Sequence, residues 1–264
     1  MIDYRHGLSI LQVVVYIPTL FIALWVAFHN GFKKSSGWCY FVVFSLARVI
    51  GSCCYLATLS NPTSKDLFIA WAACQSLGIS PLTMALFGLL SLVNDSIKSK
   101  RGRSLSPIFF RLLGILTIVA AILCVMGQTK NTSLTQTSVN SKTKIGQILF
   151  VLAWVSLSIV ALYMLKHSHD IEPGEHRLLS AVGASIPLLF LRILYSLIST
   201  FSHDQRFNML TGNETVQLCM AILEKIAIVI ACLGTGLTLI KRQRASDVEF
   251  SRIQNPNSFS ARSG

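Results

Sequence analysis

Residues 178–200 read LLSAVGASIPLLFLRILYSLIST, an unbroken run of 23 residues with a single charge, Arg192. At about 1.5 Å of rise per helical residue, such a run covers the roughly 30 Å hydrocarbon core of a bilayer. A soluble helix of that length would present a charged face to water. This one has none, so the run predicts a transmembrane helix. It also poses a question, because an arginine surrounded by hydrocarbon is costly and has to face other protein.

Six more runs of the same kind lie on either side of it, at 8–28, 38–59, 67–93, 108–126, 145–166 and 215–240. The predicted fold is therefore all-α: a polytopic membrane protein built as a seven-transmembrane-helix bundle, with one membrane domain over residues 1–240. Residues 241–264 are polar and basic with no apolar periodicity, and they read as a disordered tail. Composition agrees, with 52% hydrophobic and 13% charged residues, against about a quarter charged in soluble domains. The first run exceeds a signal-peptide core and leads into His29-Asn30-Gly31, not into a small-residue cleavage site, so it is expected to be retained. Asn61-Pro62, Ser106-Pro107, Pro173-Gly174 and Thr211-Gly212-Asn213 punctuate the connections. No internal repeat of the kind found in inverted-repeat transporters is evident.

Orientation follows from lysine and arginine. One set of connections, together with the tail, holds 13 of the 23 (Lys33, Lys34, Lys98, Lys100, Arg101, Arg103, Lys166, Arg177 and five in the tail), whereas the opposite set holds 6. The richer set is expected in the cytoplasm, which places the N-terminus outside and the C-terminus inside. The sequons at Asn131 and Asn213 both fall in connections assigned to the outside, as glycosylation there would require. The net charge of +12 would suggest nucleic acid in a soluble protein. Spread over membrane loops it serves orientation, and no nucleic-acid partner is expected. The basic run Lys98–Arg103 could also hold anionic lipid heads.

Ten of the eleven acidic residues lie outside the spans, leaving Glu224 as the single acid within one. Four cations lie within spans: Arg48, Arg111, Arg192 and Lys225. Arg111 is close enough to its helix end to snorkel. Counting residues from the outer ends puts Arg192, Gln75 and Tyr16 roughly 12 Å deep, Glu224 about 13 Å and Arg48 about 16 Å, which makes them one layer. Arg192 and Glu224 are expected to pair. Ser185, Arg192, Ser196 and Ser199 share a face of span six; Ser45, Arg48, Ser52 and Tyr55 do so in span two, and Gln12, Tyr16 and Thr19 in span one. Span four has little polarity and is expected to be the most lipid-exposed. Pro18, Pro81 and Pro187 are expected to open kinks around a cavity.

The plain role of the Arg192–Glu224 pair is a structural clasp. A second reading notes that the cations outnumber the carboxylate, so Arg48, Gln75, Arg192, Glu224 and Tyr16 would form a binding site for an amphipathic or anionic small molecule. Lys225 occupies a retinal-lysine position, but span three supplies no counterion, so that chemistry is not expected. His167–His176 has ligand types for a metal without an established spacing. The seven cysteines all fall in apolar runs with no CxxC pair, which points to packing, not to disulfides or zinc. No phosphate-binding glycine loop, nucleophile elbow or HExxH is present, so no cofactor is expected and the sequence weighs against an enzyme.

Several segments carry a resemblance: Tyr4-Arg5-His6-Gly7, His29-Asn30-Gly31-Phe32 with Ser35-Ser36-Gly37-Trp38, Arg48-Val49-Ile50-Gly51, Glu175-His176-Arg177-Leu178-Leu179, Arg192-Ile193-Leu194-Tyr195-Ser196 and Gly212-Asn213-Glu214-Thr215-Val216. Together they resemble a family of uncharacterised seven-span integral membrane proteins of filamentous fungi, over about residues 1–240. The resemblance implies a fungal source and an all-helical membrane fold, and it carries no activity. A looser likeness is to the fungal lipid-translocating exporters, whose motifs are not intact here. The Asp-Arg-Tyr and Asn-Pro motifs of animal-type receptors are absent. The leading expectation is a multi-pass protein of the plasma membrane or an endomembrane, surrounded by membrane lipids, that binds, senses or translocates an amphipathic small molecule or lipid. The alternatives are a cyclase-type biosynthetic enzyme of a secondary-metabolite pathway, with Glu224 as its acid, and a seven-span receptor.

Overall fold

The computed structural model describes residues 4–30, 36–59, 65–76, 78–101, 106–130, 141–166, 175–201 and 222–238. Every regular element among them is a helix: α1 (Tyr4–Asn30), α2 (Ser36–Ala57), α3 (Lys65–Ser76), α4 (Ile79–Arg101), α5 (Pro107–Lys130), α6 (Ser141–Lys166), α7 (Glu175–Phe201) and α8 (residues 222–238). Helices close their own backbone hydrogen bonds, which is what a bilayer interior demands. Of these, α1, α2, α5, α6 and α7 are long and apolar enough to cross a membrane. The chain is a multi-pass, all-α membrane protein.

Polarity is distributed opposite to that of a soluble bundle. Phe21, Trp25, Phe28, Ile108, Leu112, Ile159 and Leu162 are exposed on the outside, while Ser45, Arg48, Thr83, Thr117, Ser185 and Arg192 are buried within. An apolar solvent explains both halves of the pattern. Buried hydroxyls return hydrogen bonds to their own helix: Thr19 to the Val15 carbonyl at 2.7 Å, Thr83 to Ile79 at 2.8 Å and Thr117 to Leu113 at 2.8 Å.

Helix α1 lies along α2, α5 lies along α6, and α6 packs on α7. The central element is α4, which meets α2, α5, α6 and α7 and is buried at every residue from Ile79 to Phe87. Its approach to α2 is close at Gly37, where an added Cβ would stand 2.9 Å from both the Gly88 carbonyl carbon and the Leu89 amide nitrogen. Small residues at such crossings let two backbones touch and gain dispersion contacts, the main attraction available between helices in lipid.

Two expectations are corrected here. The run 67–93 is not one helix: the structure ends α3 at Ser76, turns at Gly78 and starts α4 at Ile79. Pro81 supplies the reason. It has no N–H to give the carbonyl four residues back, and its ring would collide there, whereas in the first turn of a new helix neither matters. Pro18 and Pro187, by contrast, lie inside α1 and α7. Span four does not stand out as the most lipid-exposed, because α5 buries 33% of its spanning window, the same share as α1, α2 and α6, against 44% for α7. Sequence polarity undercounts the contacts of α5, which are made by Leu113, Ala120, Ala121 and Cys124.

The sequons at Asn131 and Asn213, residues 167–174 of the histidine-rich run and the tail 241–264 lie outside the described residues.

Candidate functional site

The polar faces of α1 and α2 meet. On α1, Ser9, Gln12, Tyr16 and Thr19 are buried at helical spacing, as are Ser45, Arg48 and Ser52 on α2. The Ser52 hydroxyl donates to Gln12 Oε1 at 3.2 Å. Toward the N-terminal end of α1 the row finishes in three rings in tilted contact, with the centroids of His6 and Tyr55 5.0 Å apart and those of Tyr55 and Trp71 4.8 Å apart. In the other direction it reaches Arg48. The Arg48 guanidinium sits 5.5 Å from the centroid of Phe44, one turn back on its own helix, and Tyr16 meets the same ring edge-on at 5.6 Å. A cation over an aromatic face gains electrostatically from the ring quadrupole.

Arg48 also fills the gap in the broken helix. A Cβ built on Gly78 would collide with the Arg48 guanidinium, so only glycine leaves that side chain its present place. The first turn of α4 begins at the next residue, where backbone amides lacking intrahelical partners add positive potential.

From the opposite side come α7 and α8. Arg192 is fully buried and lies 5.6 Å from the Tyr195 ring centroid. Its face of α7 is tied to neighbours by Gln147 Nε2, which donates to Ser196 Oγ at 2.7 Å, and by Ser185 Oγ, 3.6 Å from Cys232 Sγ on α8. Helix α8 opens on a wide π-type turn at 222–223, followed directly by Glu224 and Lys225, both buried. The Glu224 Oε2 atom and the Lys225 Nζ atom are buried without a hydrogen-bond partner among the described residues, and so are the Tyr16 hydroxyl and Ser45 Oγ. Buried polar atoms are ordinarily satisfied, and clusters of exceptions ask for a ligand or ordered water.

These groups act on one another. Arg192 feels the charges of Arg48 and Glu224, Lys225 feels those of Arg192, Arg48 and Glu224, and Arg48 is felt by Tyr16. Three cations and one carboxylate, drawn from α2, α7 and α8, thus share one interior region. Of the residues expected from sequence, Arg48, Tyr16, Arg192 and Glu224 are brought together. Gln75 lies on α3, with its side chain outside those described.

Two members were missed. Lys225 is counted among the cations within spans but not among the expected site residues, and its depth is the signal for it. Gly78 was passed over, although Gly78-Ile79-Ser80-Pro81 is a helix stop followed by a proline start. Chemically, the cluster can hold an anion through two guanidiniums and an ammonium. No group of three or more metal-ligand side chains occurs among the described residues.

A family model described as a domain of unknown function (DUF7702) matches residues 2–243. No curated protein and no solved structure matches the chain.

Proposed function

The chain belongs to the DUF7702 family, and from the chemistry of its interior we propose that it is a seven-span fungal membrane protein that binds and translocates an anionic amphiphile. The site is built from Arg48, Arg192, Lys225 and Glu224, with Tyr16 at its edge. One observation carries the reading: among the described residues Arg48, Arg192, Lys225 and Glu224 are all buried inside a shell of exposed apolar side chains. Burial of charge is costly and excess charge of one sign doubly so. A clasp serving stability alone would satisfy its members, whereas the Lys225 Nζ and Glu224 Oε2 atoms are buried with no hydrogen-bond partner among the described residues and call for one from elsewhere. Membrane lipids and amphiphilic metabolites are the anions that reach such a depth, since their tails stay in hydrocarbon.

The test is transport in proteoliposomes containing the full chain. A fluorescent anionic lipid placed in the outer leaflet should exchange between leaflets faster than in empty vesicles, while a zwitterionic analogue should not. Arg192→Gln is expected to slow exchange by about tenfold, as loss of a charge-assisted hydrogen bond implies. Exchange at the empty-vesicle rate in the unmutated protein would count against translocation. An isoprenoid substrate cyclised by the purified protein, with turnover lost in Glu224→Gln, would move the assignment to an enzyme.

A further inference from the structure

The seam between α2 and α3 carries two thiols that the anion site does not use. At Gly51 on α2, an added Cβ would stand 2.7 Å from Cys74 Cβ on α3 and 3.7 Å from its Sγ. The missing side chain of Gly51 lets the two backbones approach that closely. One turn further along α2, the ring of Tyr55 meets that of Trp71 with centroids 4.8 Å apart, and Trp71 lies three residues before Cys74 on α3. These two contacts set the helices antiparallel and fix their register. Cys54 stands on α2 between Gly51 and Tyr55, in the same stretch of the seam as Cys74. Residues three apart on a helix have Cβ atoms about 5–6 Å apart. With Cys74 Cβ 2.7 Å from the Cβ position at Gly51, the Cβ atoms of Cys54 and Cys74 are at most about 9 Å apart. A disulfide needs about 3.8 Å, which a small rotation or slide of the short α3 supplies. Cys74 is also within electrostatic range of Cys54.

Access separates this pair from the other cysteines. Cys124 and Cys232 are buried, as packing residues are, whereas Cys54 and Cys74 are half-buried free thiols and the adjacent Cys53 is exposed. The ring of His6 meets that of Tyr55 at 5.0 Å, which puts this end of α2 on the N-terminal face of the bundle. That is the face expected outside, where disulfides form and persist. We infer that Cys54 and Cys74 are a redox modification site, closing to a reversible disulfide that fastens α3 to α2. The oxidant is a small disulfide such as oxidised glutathione. One cysteine thiolate attacks it and expels a glutathione thiolate; the second thiolate then attacks the mixed disulfide and expels the other. The two protein thiols lose two electrons and two protons, and one glutathione disulfide becomes two thiols. Helix α3 ends at Ser76, just ahead of the turn at Gly78 against which Arg48 is placed, so the link restrains that turn as well.

The experiment incubates the full chain in detergent micelles with oxidised glutathione, blocks remaining thiols with N-ethylmaleimide, and maps peptides by mass spectrometry before and after dithiothreitol. The expected result is a Cys54–Cys74 linked peptide that dithiothreitol separates, with the melting temperature raised by about 5 °C in the oxidised protein. Cys54→Ser and Cys74→Ser should each abolish both the link and the thermal shift, while Cys53→Ser keeps them. Glutathione adducts on Cys54 and Cys74 without a link would overturn the pairing, as would a link from Cys53 in place of Cys54. Thiols that all stay reduced would overturn the site itself, and a link that leaves the melting temperature unchanged would overturn the fastening of α3. Mapping of the unmutated protein decides the pairing even if a variant does not fold, and no outcome bears on the anion site.

Discussion

Glu224 and Lys225 are consecutive, and consecutive side chains on a regular helix diverge by about 100°. Both are nevertheless buried, at 7% and 1% exposure, directly after the wide turn at 222–223. A π-type turn is wider than an α-helical one, and the interior here takes two neighbouring polar side chains. Their energetic roles differ. Glu224 is the sole buried carboxylate among the described residues and lies near three cations, so its removal leaves like charges facing one another. Glu224→Gln keeps the volume and removes the charge, and it is expected to destabilise the protein by about 3 kcal/mol or more. Lys225→Met removes one cation and a buried unsatisfied ammonium, and should be neutral or stabilising. Thermal unfolding of the detergent-solubilised variants checks both, and equal melting points for Glu224→Gln and the unmutated protein would remove the carboxylate's neutralising role.

The seating of α4 depends on two glycines with opposite tolerances, Gly37 on α2 and Gly78 just ahead of α4. At Gly37 an added Cβ meets backbone atoms of Gly88 and Leu89, which cannot move independently of α4. Gly37→Leu is expected to separate α2 from α4 and cost about 1–3 kcal/mol or more, read as a lowered melting temperature. At Gly78 the obstacle is the far end of the flexible Arg48 side chain, and the backbone there is not left-handed. Gly78→Ala should therefore fold with a nearly unchanged melting temperature while displacing the guanidinium, so that binding of an anionic amphiphile falls by about tenfold. A variant that binds normally would detach Arg48 from the site. This contrast also shows what sequence could and could not convey. Arg48, Arg192 and Glu224 were legible because charges are rare in apolar runs and have few places to go. The helix break was not, because hydropathy stays high across Leu77 and Gly78 and the window that detects a span averages over the single turn that divides it. The share of α5 that is buried was equally hidden, since Leu and Ala look alike whether they face lipid or protein.

Taken as a bundle, the molecule has α3 of 12 residues and α4 of 23, or about 18 Å and 35 Å. The first is too short to cross a bilayer alone, and the second, though long enough, is apolar only over Ile79–Asp95. Helix α3 packs on α2 and α5, and α4 packs on α2 and α5 as well; on the seven-span proposal the two make one broken crossing, with Arg48 against its turn. Broken helices at membrane depth are tolerated where the freed backbone lines a protein interior or a binding site, and Gly78 is buried. Counting α3 and α4 as a single crossing gives seven, and an odd number puts the termini on opposite sides. Had α3 made a separate crossing, the count would be eight and both termini would share a side. The connection after α5, carrying Asn131, and the one after α7, carrying Asn213, lie on the same side as the N-terminus if α3 and α4 make one crossing. Expressed in a eukaryotic secretory membrane, the protein is therefore expected to carry N-glycans that Asn131→Gln and Asn213→Gln remove, while a glycosylation reporter fused after residue 264 stays unmodified. A C-terminal reporter that is glycosylated together with one fused before Met1 would require an even number of crossings. It would make α3 and α4 independent spans and take away the buried gap in which Arg48 is held.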